Sequence, residues 1–173
     1  MKINKILFIA TFLITLASNA QIDKGNWMMG GGANFGAYKN TSGGIKGESR
    51  GIGIYPNIGY FVIDKLALGA SGELGFSSDT NTNYGISPFI RYYFLEKEKT
   101  INIFSEVSYG ISRINKTDYN FQKFNLKAGT VFFVNSSVGI EVSLNYSSRK
   151  DNQDSLNEAL YLGVGFQIHL EKR

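Results

Sequence analysis

The chain has 173 residues, a formal net charge of +4, one histidine and no cysteine. The missing cysteines exclude a disulfide framework, thiolate metal sites and thiol nucleophiles. Basic and acidic residues alternate with no cluster able to follow a phosphate backbone, which excludes nucleic acid as a partner.

Residues 1–20 read as a signal peptide. Lys2 and Lys5 form a basic start, Ile6 to Leu16 an apolar middle, and Ala17-Ser18-Asn19-Ala20 a small-residue cleavage site. The apolar run is too short to cross a bilayer as a helix, which needs about 20 residues. Cleavage is expected between Ala20 and Gln21. It would remove two lysines, lower the formal charge by two, and leave residues 21–173 as one barrel domain.

Eight strands are expected beyond that point. They are 26–38, 51–62, 66–77, 84–95, 101–114, 122–134, 138–148 and 159–170. Each alternates large apolar residues with small or polar ones, and successive strand side chains point to opposite faces. In the second strand Ile52, Ile54, Ile58, Tyr60 and Val62 share one face, while Gly53, Asn57 and Gly59 share the other. The eighth strand repeats the pattern with Leu160, Leu162, Val164, Phe166, Ile168 and Leu170. Each strand has at least about the 9–11 residues that a tilted transmembrane strand needs.

The connections alternate in length. The turns at 63–65, 96–100 and 135–137 are short. Loops 39–50, 78–83, 115–121 and 149–158 are mostly longer and strongly polar. Short periplasmic turns and longer outer loops characterise outer-membrane barrels, and an even strand count puts both termini on the short-turn side. Pro56 and Pro88 lie inside strands, where a missing N–H interrupts the ladder. A bulge or bend is expected at each.

Alternation alone leaves open which face points outward, because a soluble lipocalin-like barrel also alternates. Three features favour lipid outside. The opposite face carries Gly, Ser, Asn and charges. Aromatics gather near strand ends, as in Tyr60-Phe61, Tyr92-Tyr93-Phe94 and Phe132-Phe133, which suits an interfacial girdle. No segment has a helical period to plug or flank a soluble barrel.

The inward register holds an interior charge cluster: Glu73, Arg91, Glu106, Lys127 and Glu141. Isolated charges in a dry interior are costly, so these side chains are expected to pair as a salt-bridged filling rather than line an ion path. Arg91 and Glu106 lie nearly opposite across the turn at 96–100. They are expected to form the closest ion pair, with Arg91 shared with Glu73. His169 is inward near the short-turn end, and no inward serine is placed to make it a hydrolase base. One histidine without cysteine argues against a transition-metal site. Asp79, Asp118, Asp151, Asp154 and Glu158 are too scattered for a calcium loop.

The chain resembles the small bacterial outer-membrane β-barrel proteins, the porin-like group that includes OmpX and the OmpA membrane domain. The resemblance rests on Gly25-Asn26-Trp27-Met28-Met29-Gly30-Gly31, on Pro56-Asn57-Ile58-Gly59-Tyr60-Phe61, and on Leu66-Ala67-Leu68-Gly69. The closing strand looks like the assembly signal of such barrels, with Gly163, Phe166 and Ile168 in the matching places, although the chain runs on to Leu170-Glu171-Lys172-Arg173. Asp154-Ser155-Leu156 resembles a tripeptide that some bacteria O-glycosylate.

The resemblance implies an all-β, eight-stranded antiparallel up-and-down transmembrane barrel in the outer membrane of a Gram-negative bacterium. The expected function is non-enzymatic and without cofactor: a structural or surface-interaction role through the four outer loops. The alternative is a narrow pore or an OmpW-like conduit for small molecules. Expected partners are outer-membrane lipid, the barrel-assembly machinery, periplasmic chaperones, and an extracellular ligand or host surface.

Overall fold

The computed structural model describes residues 22–42, 45–77, 82–115, 120–152 and 154–171. The expected signal peptide and the cleavage site at Ala20 and Gln21 lie outside the described residues. Eight strands follow in order: β1 (Trp27–Ser42), β2 (Ile45–Ile63), β3 (Leu66–Ser77), β4 (Thr82–Tyr93), β5 (Ile101–Ile114), β6 (Asn120–Phe133), β7 (Val138–Asp151) and β8 (Leu156–Leu170). Each pairs antiparallel with the next, and β1 pairs with β8 to close the barrel.

Period two decides the faces. Burial alternates residue by residue in β4 and β5, and the large apolar register points outward on every strand. Ile52, Leu68, Ile90, Val107, Leu126, Val142 and Val164 are all exposed on the outside. A soluble protein rarely exposes one apolar patch of more than a few hundred Å²; here the apolar surface runs around the whole barrel. Such an exterior suits hydrocarbon, and closure leaves no sheet edge to be solvated within the lower ladder.

The outer connections are shorter than expected. Of loop 39–50, residues 39–42 and 45–50 belong to β1 and β2, with Tyr38 opposite Ser49 and Lys39 opposite Glu48. Thr82 and Asn83 from loop 78–83 begin β4, and Asn120 and Phe121 from loop 115–121 begin β6. Of loop 149–158, residues 149–151 end β7 and 156–158 begin β8. Backbone pairing needs no apolar alternation, so polar hairpins continue the ladder beyond the point where the apolar pattern stops. At the tip of the β7–β8 hairpin, Asp154 lies 2.7 Å from Lys150, whose ammonium holds its carboxyl below the ordinary range. The Ser155 amide donates to Asp151 Oδ1 at 2.8 Å.

At the prolines the ladder is interrupted but carries no bulge. No register shift occurs at Pro56 or Pro88. The β2–β3 ladder skips Tyr55 and Pro56 and resumes in the same register, and the β4–β5 ladder skips Ser87 and Pro88 likewise. Each proline keeps its pairing on the other flank, Pro56 with Gly31 and Pro88 with Ala70. A missing donor on one side therefore costs a gap, not a bulge. The β2–β3 irregularity lies at Phe61/Ile63, just before the turn. Lys65 takes a positive φ of 68° in that turn, a single left-handed residue of the kind that bulged hairpin connections carry.

Candidate functional site: the barrel interior

Three levels of side chains occupy the interior. At the short-turn end lies an apolar layer of Met28, Phe61, Ala67, Phe89, Tyr93, Phe104, Val131 and Phe133. This corrects the expectation that the inward face is polar throughout. It also corrects the aromatic girdle: in the pairs Tyr60-Phe61, Tyr92-Tyr93 and Phe132-Phe133, the second residue of each points inward. His169 is fully buried among them, with ring centroids 5.4 Å from Phe133 and 5.6 Å from Phe61.

The segment 22–26 closes this end. Ile22 is completely buried, and its carbonyl accepts the Lys65 amide at 2.8 Å. The Gly25 amide donates to the Phe61 carbonyl, and the Lys24 amide to Asp64 Oδ1. Asp23 bridges Lys97 at 2.9 Å, while Lys65 bridges Glu96 at 2.6 Å on the rim.

Above the apolar layer sits Arg91, fully buried. β4 and β5 place it directly opposite Glu106. Its Nη2 lies 2.6 Å from Glu106 Oε2, and its Nε donates to the same oxygen at 2.7 Å. Its Nη1 reaches across the barrel to Glu141 and donates to the Tyr93 hydroxyl at 3.2 Å. The guanidinium carbon stands 4.5 Å from the Phe104 ring centroid, within reach of a cation–π attraction. Lys127, opposite Glu106 on β6, joins loosely at 3.4 Å.

Glu73 is not part of this group. It pairs with Lys123 at 2.8 Å and Arg149 at 3.0 Å nearer the outer end, and accepts from Asn83 Nδ2 at 2.7 Å. The expected sharing of Arg91 with Glu73 is therefore replaced by sharing with Glu141. Arg91 contacts both Glu106, as expected, and Glu141. The reason is geometric: the strands tilt, so a long side chain meets partners across the lumen at its own height, not simply on the neighbouring strand. The expected single cluster is two networks, Arg91–Glu106–Glu141–Lys127 and Glu73–Lys123–Arg149.

Lys123 and Arg149 were not among the expected interior charges. Lys123 shares the inward parity of Lys127, four residues away, so its position carried the signal. Arg149 lay in a stretch read as loop. Between the two networks lies a cavity of about 100 Å³, lined by Glu73, Glu106, Lys123, Lys127, Glu141 and several Ser and Asn side chains.

The assembly-signal-like residues lie on β8. Phe166 is exposed on the outer face opposite Gly31, Ile168 pairs with Met29, and Gly163 is opposite Ser143. Among the described residues, no group of three or more His, Cys, Asp or Glu is placed to hold a metal ion.

No protein-family model matches the chain, and no curated protein does. Solved structures do. Neisserial surface protein A is 13% identical over 88% of this chain and 97% of its own, with a TM-score of 0.61. The outer membrane protein OprG from Pseudomonas aeruginosa is 9% identical over 88% of this chain and 99% of its own, with a TM-score of 0.57. The likeness is one of fold: an eight-stranded closed barrel of the small outer-membrane type.

Proposed function

We propose that the chain is a non-enzymatic barrel of a Gram-negative outer membrane, exported with cleavage at Gln21, that acts structurally or as a surface-contact protein through its outer hairpins. One observation carries the reading: a continuous apolar exterior surrounds an interior sealed at its short-turn end. Apolar exterior surface calls for lipid as the immediate partner. The layer from Ile22 to Phe133 supports a barrel without a through-path, and so argues against the narrow pore. Delivery of such a chain would need periplasmic chaperones and the barrel-assembly machinery, with the closing strand around Gly163, Phe166 and Ile168 as the recognised segment. The hairpin tips are then what an extracellular ligand or host surface would meet.

Fractionation and amino-terminal mass spectrometry of purified outer membranes test the location. Recovery there with Gln21 at the amino terminus is expected. A soluble periplasmic protein, or one retaining residues 1–20, would overturn the reading. Whole-cell binding assays with hairpin-tip deletions test the surface role, and unchanged binding after all four deletions would remove it.

A further inference from the structure

The segment that seals the short-turn end begins next to the expected cleavage site. Ile22 is completely buried, main chain included, and belongs to the same apolar cluster as Met28, Phe61 and Phe133. Its carbonyl accepts the Lys65 amide at 2.8 Å, and the Lys65 carbonyl accepts the Tyr93 amide at 2.9 Å. Further along, the Gly25 amide donates to the Phe61 carbonyl at 2.8 Å and the Phe61 amide to the Asn26 carbonyl at 3.0 Å. The segment is therefore held from its first described residue, with that residue inside the seal.

Cleavage between Ala20 and Gln21 creates an α-amine only three covalent bonds from the Ile22 amide nitrogen. Ionised, that amine stands beside a residue with no contact with water. A charge taken out of water is costly unless a partner meets it. The apolar cluster supplies no carboxylate. Three carboxylates of the rim are already engaged: Asp23 with Lys97 at 2.9 Å, Asp64 with the Lys24 amide at 2.8 Å, and Glu96 with Lys65 at 2.6 Å. A terminal cation is the wrong chemistry for this position. The residue at 21 is glutamine, whose side-chain amide can remove that cation with no second reactant.

We propose that Gln21 is a modification site, and that the mature terminus is a pyroglutamyl lactam that lets Ile22 seat in the seal. The α-amine, as its free base, attacks the Cδ of its own side chain. The new N–Cδ bond closes a five-membered ring, the Cδ–Nε2 bond breaks, and one ammonia leaves with the proton lost from the amine. An α-amine ordinarily titrates at about 7.7–8.0, so some free base is present at neutral pH. The product carries no terminal charge and offers no free amine to an aminopeptidase. Gln21 lies outside the described residues; the assignment is carried by Ile22 and its partners, and it rests on the processing step proposed above.

The test uses the full chain, exported with its own signal and purified from outer membranes. Chymotrypsin would release residues 21–27. A heavy-isotope standard of the same sequence with a free amine, added before digestion, would report conversion during work-up. The terminal peptide should be lighter by one ammonia in nearly all molecules, while the standard stays open. A terminal peptide with an open Gln21 would overturn the assignment and leave the cleavage reading intact. A terminus at any other residue would overturn both. Gln21→Ala keeps a small residue at the cleavage site and leaves an amine that cannot cyclise. In nanodiscs, the Lys65 amide of this variant should exchange about tenfold faster than that of the natural chain at pH of about 6. The amides of Ile90 and Val142 should stay protected, which shows that the barrel is folded. The difference should shrink toward pH of about 9, where the variant's α-amine is neutral. Equal Lys65 exchange in the two proteins would show that Ile22 seats beside a charged terminus. A difference that persists at the higher pH would mean a lost side-chain contact. Either result would overturn the role given to the lactam.

Discussion

Arg91 shows how a charge is kept in a barrel too narrow for bulk water. Its fork meets two carboxylates from different strands, and its guanidinium carbon lies over the Phe104 ring. Removing a single partner from a buried group of this kind leaves uncompensated charge, a loss of roughly 3–5 kcal/mol. Arg91→Ala should therefore cost about that much in urea unfolding of the micelle-embedded protein, because Glu106 and Glu141 then face each other. Arg91→Met combined with Glu106→Gln and Glu141→Gln should cost less than Arg91→Ala alone. A triple variant that loses the sum of the three single losses would show that the residues do not act as one network. The inward parity of Glu73, Arg91, Glu106, Lys127 and Glu141 was legible from alternation alone. That Arg91 would reach Glu141 rather than Glu73 was not, since that depends on strand tilt and height in the lumen. The aromatic doublets were ambiguous for a related reason: two adjacent apolar residues satisfy either face, and only the neighbours in space decide that Phe61, Tyr93 and Phe133 turn inward.

The elements extend further than their apolar patterns. Eight strands and their order follow from period two and from the turn residues. The outer ends were read short because polar residues carry no burial signal, while their backbones still pair. The β1–β2 hairpin is the clearest case, with partners continuing to Ser42 and Ile45. Directly opposed residues in an antiparallel pair have Cα atoms about 4.5–5.5 Å apart, within the range that a disulfide spans. Cysteines at Lys39 and Glu48 should therefore oxidise to one intramolecular disulfide in this cysteine-free chain, while a pair at Lys39 and Arg50 should do so much less. Peptide mapping under non-reducing conditions reads the difference. Equal cross-linking of the two pairs would mean that the segment is irregular and that the ladder stops near Gly36.

At the scale of the whole molecule, the fold separates three environments: lipid outside, an apolar seal at one end, and a charged interior above it. The seal predicts that the protein in a planar bilayer passes no steady current at moderate voltage. Deleting residues 22–26 removes Ile22 but leaves the Phe61, Tyr93 and Phe133 layer, so the barrel should remain silent. Regular single-channel steps from the intact chain would show that the layer does not close the lumen. All of this depends on which face meets the lipid, and site-directed spin labelling in liposomes reads that most directly. Labels replacing Leu68, Ile90, Val142 and Val164 should relax with oxygen and ignore aqueous nickel reagents, while labels replacing Asn125 and Ser143 should not show the oxygen response. The reverse pattern, with nickel reaching the first four and oxygen the last two, would mean that the apolar register faces the lumen and would contradict the account.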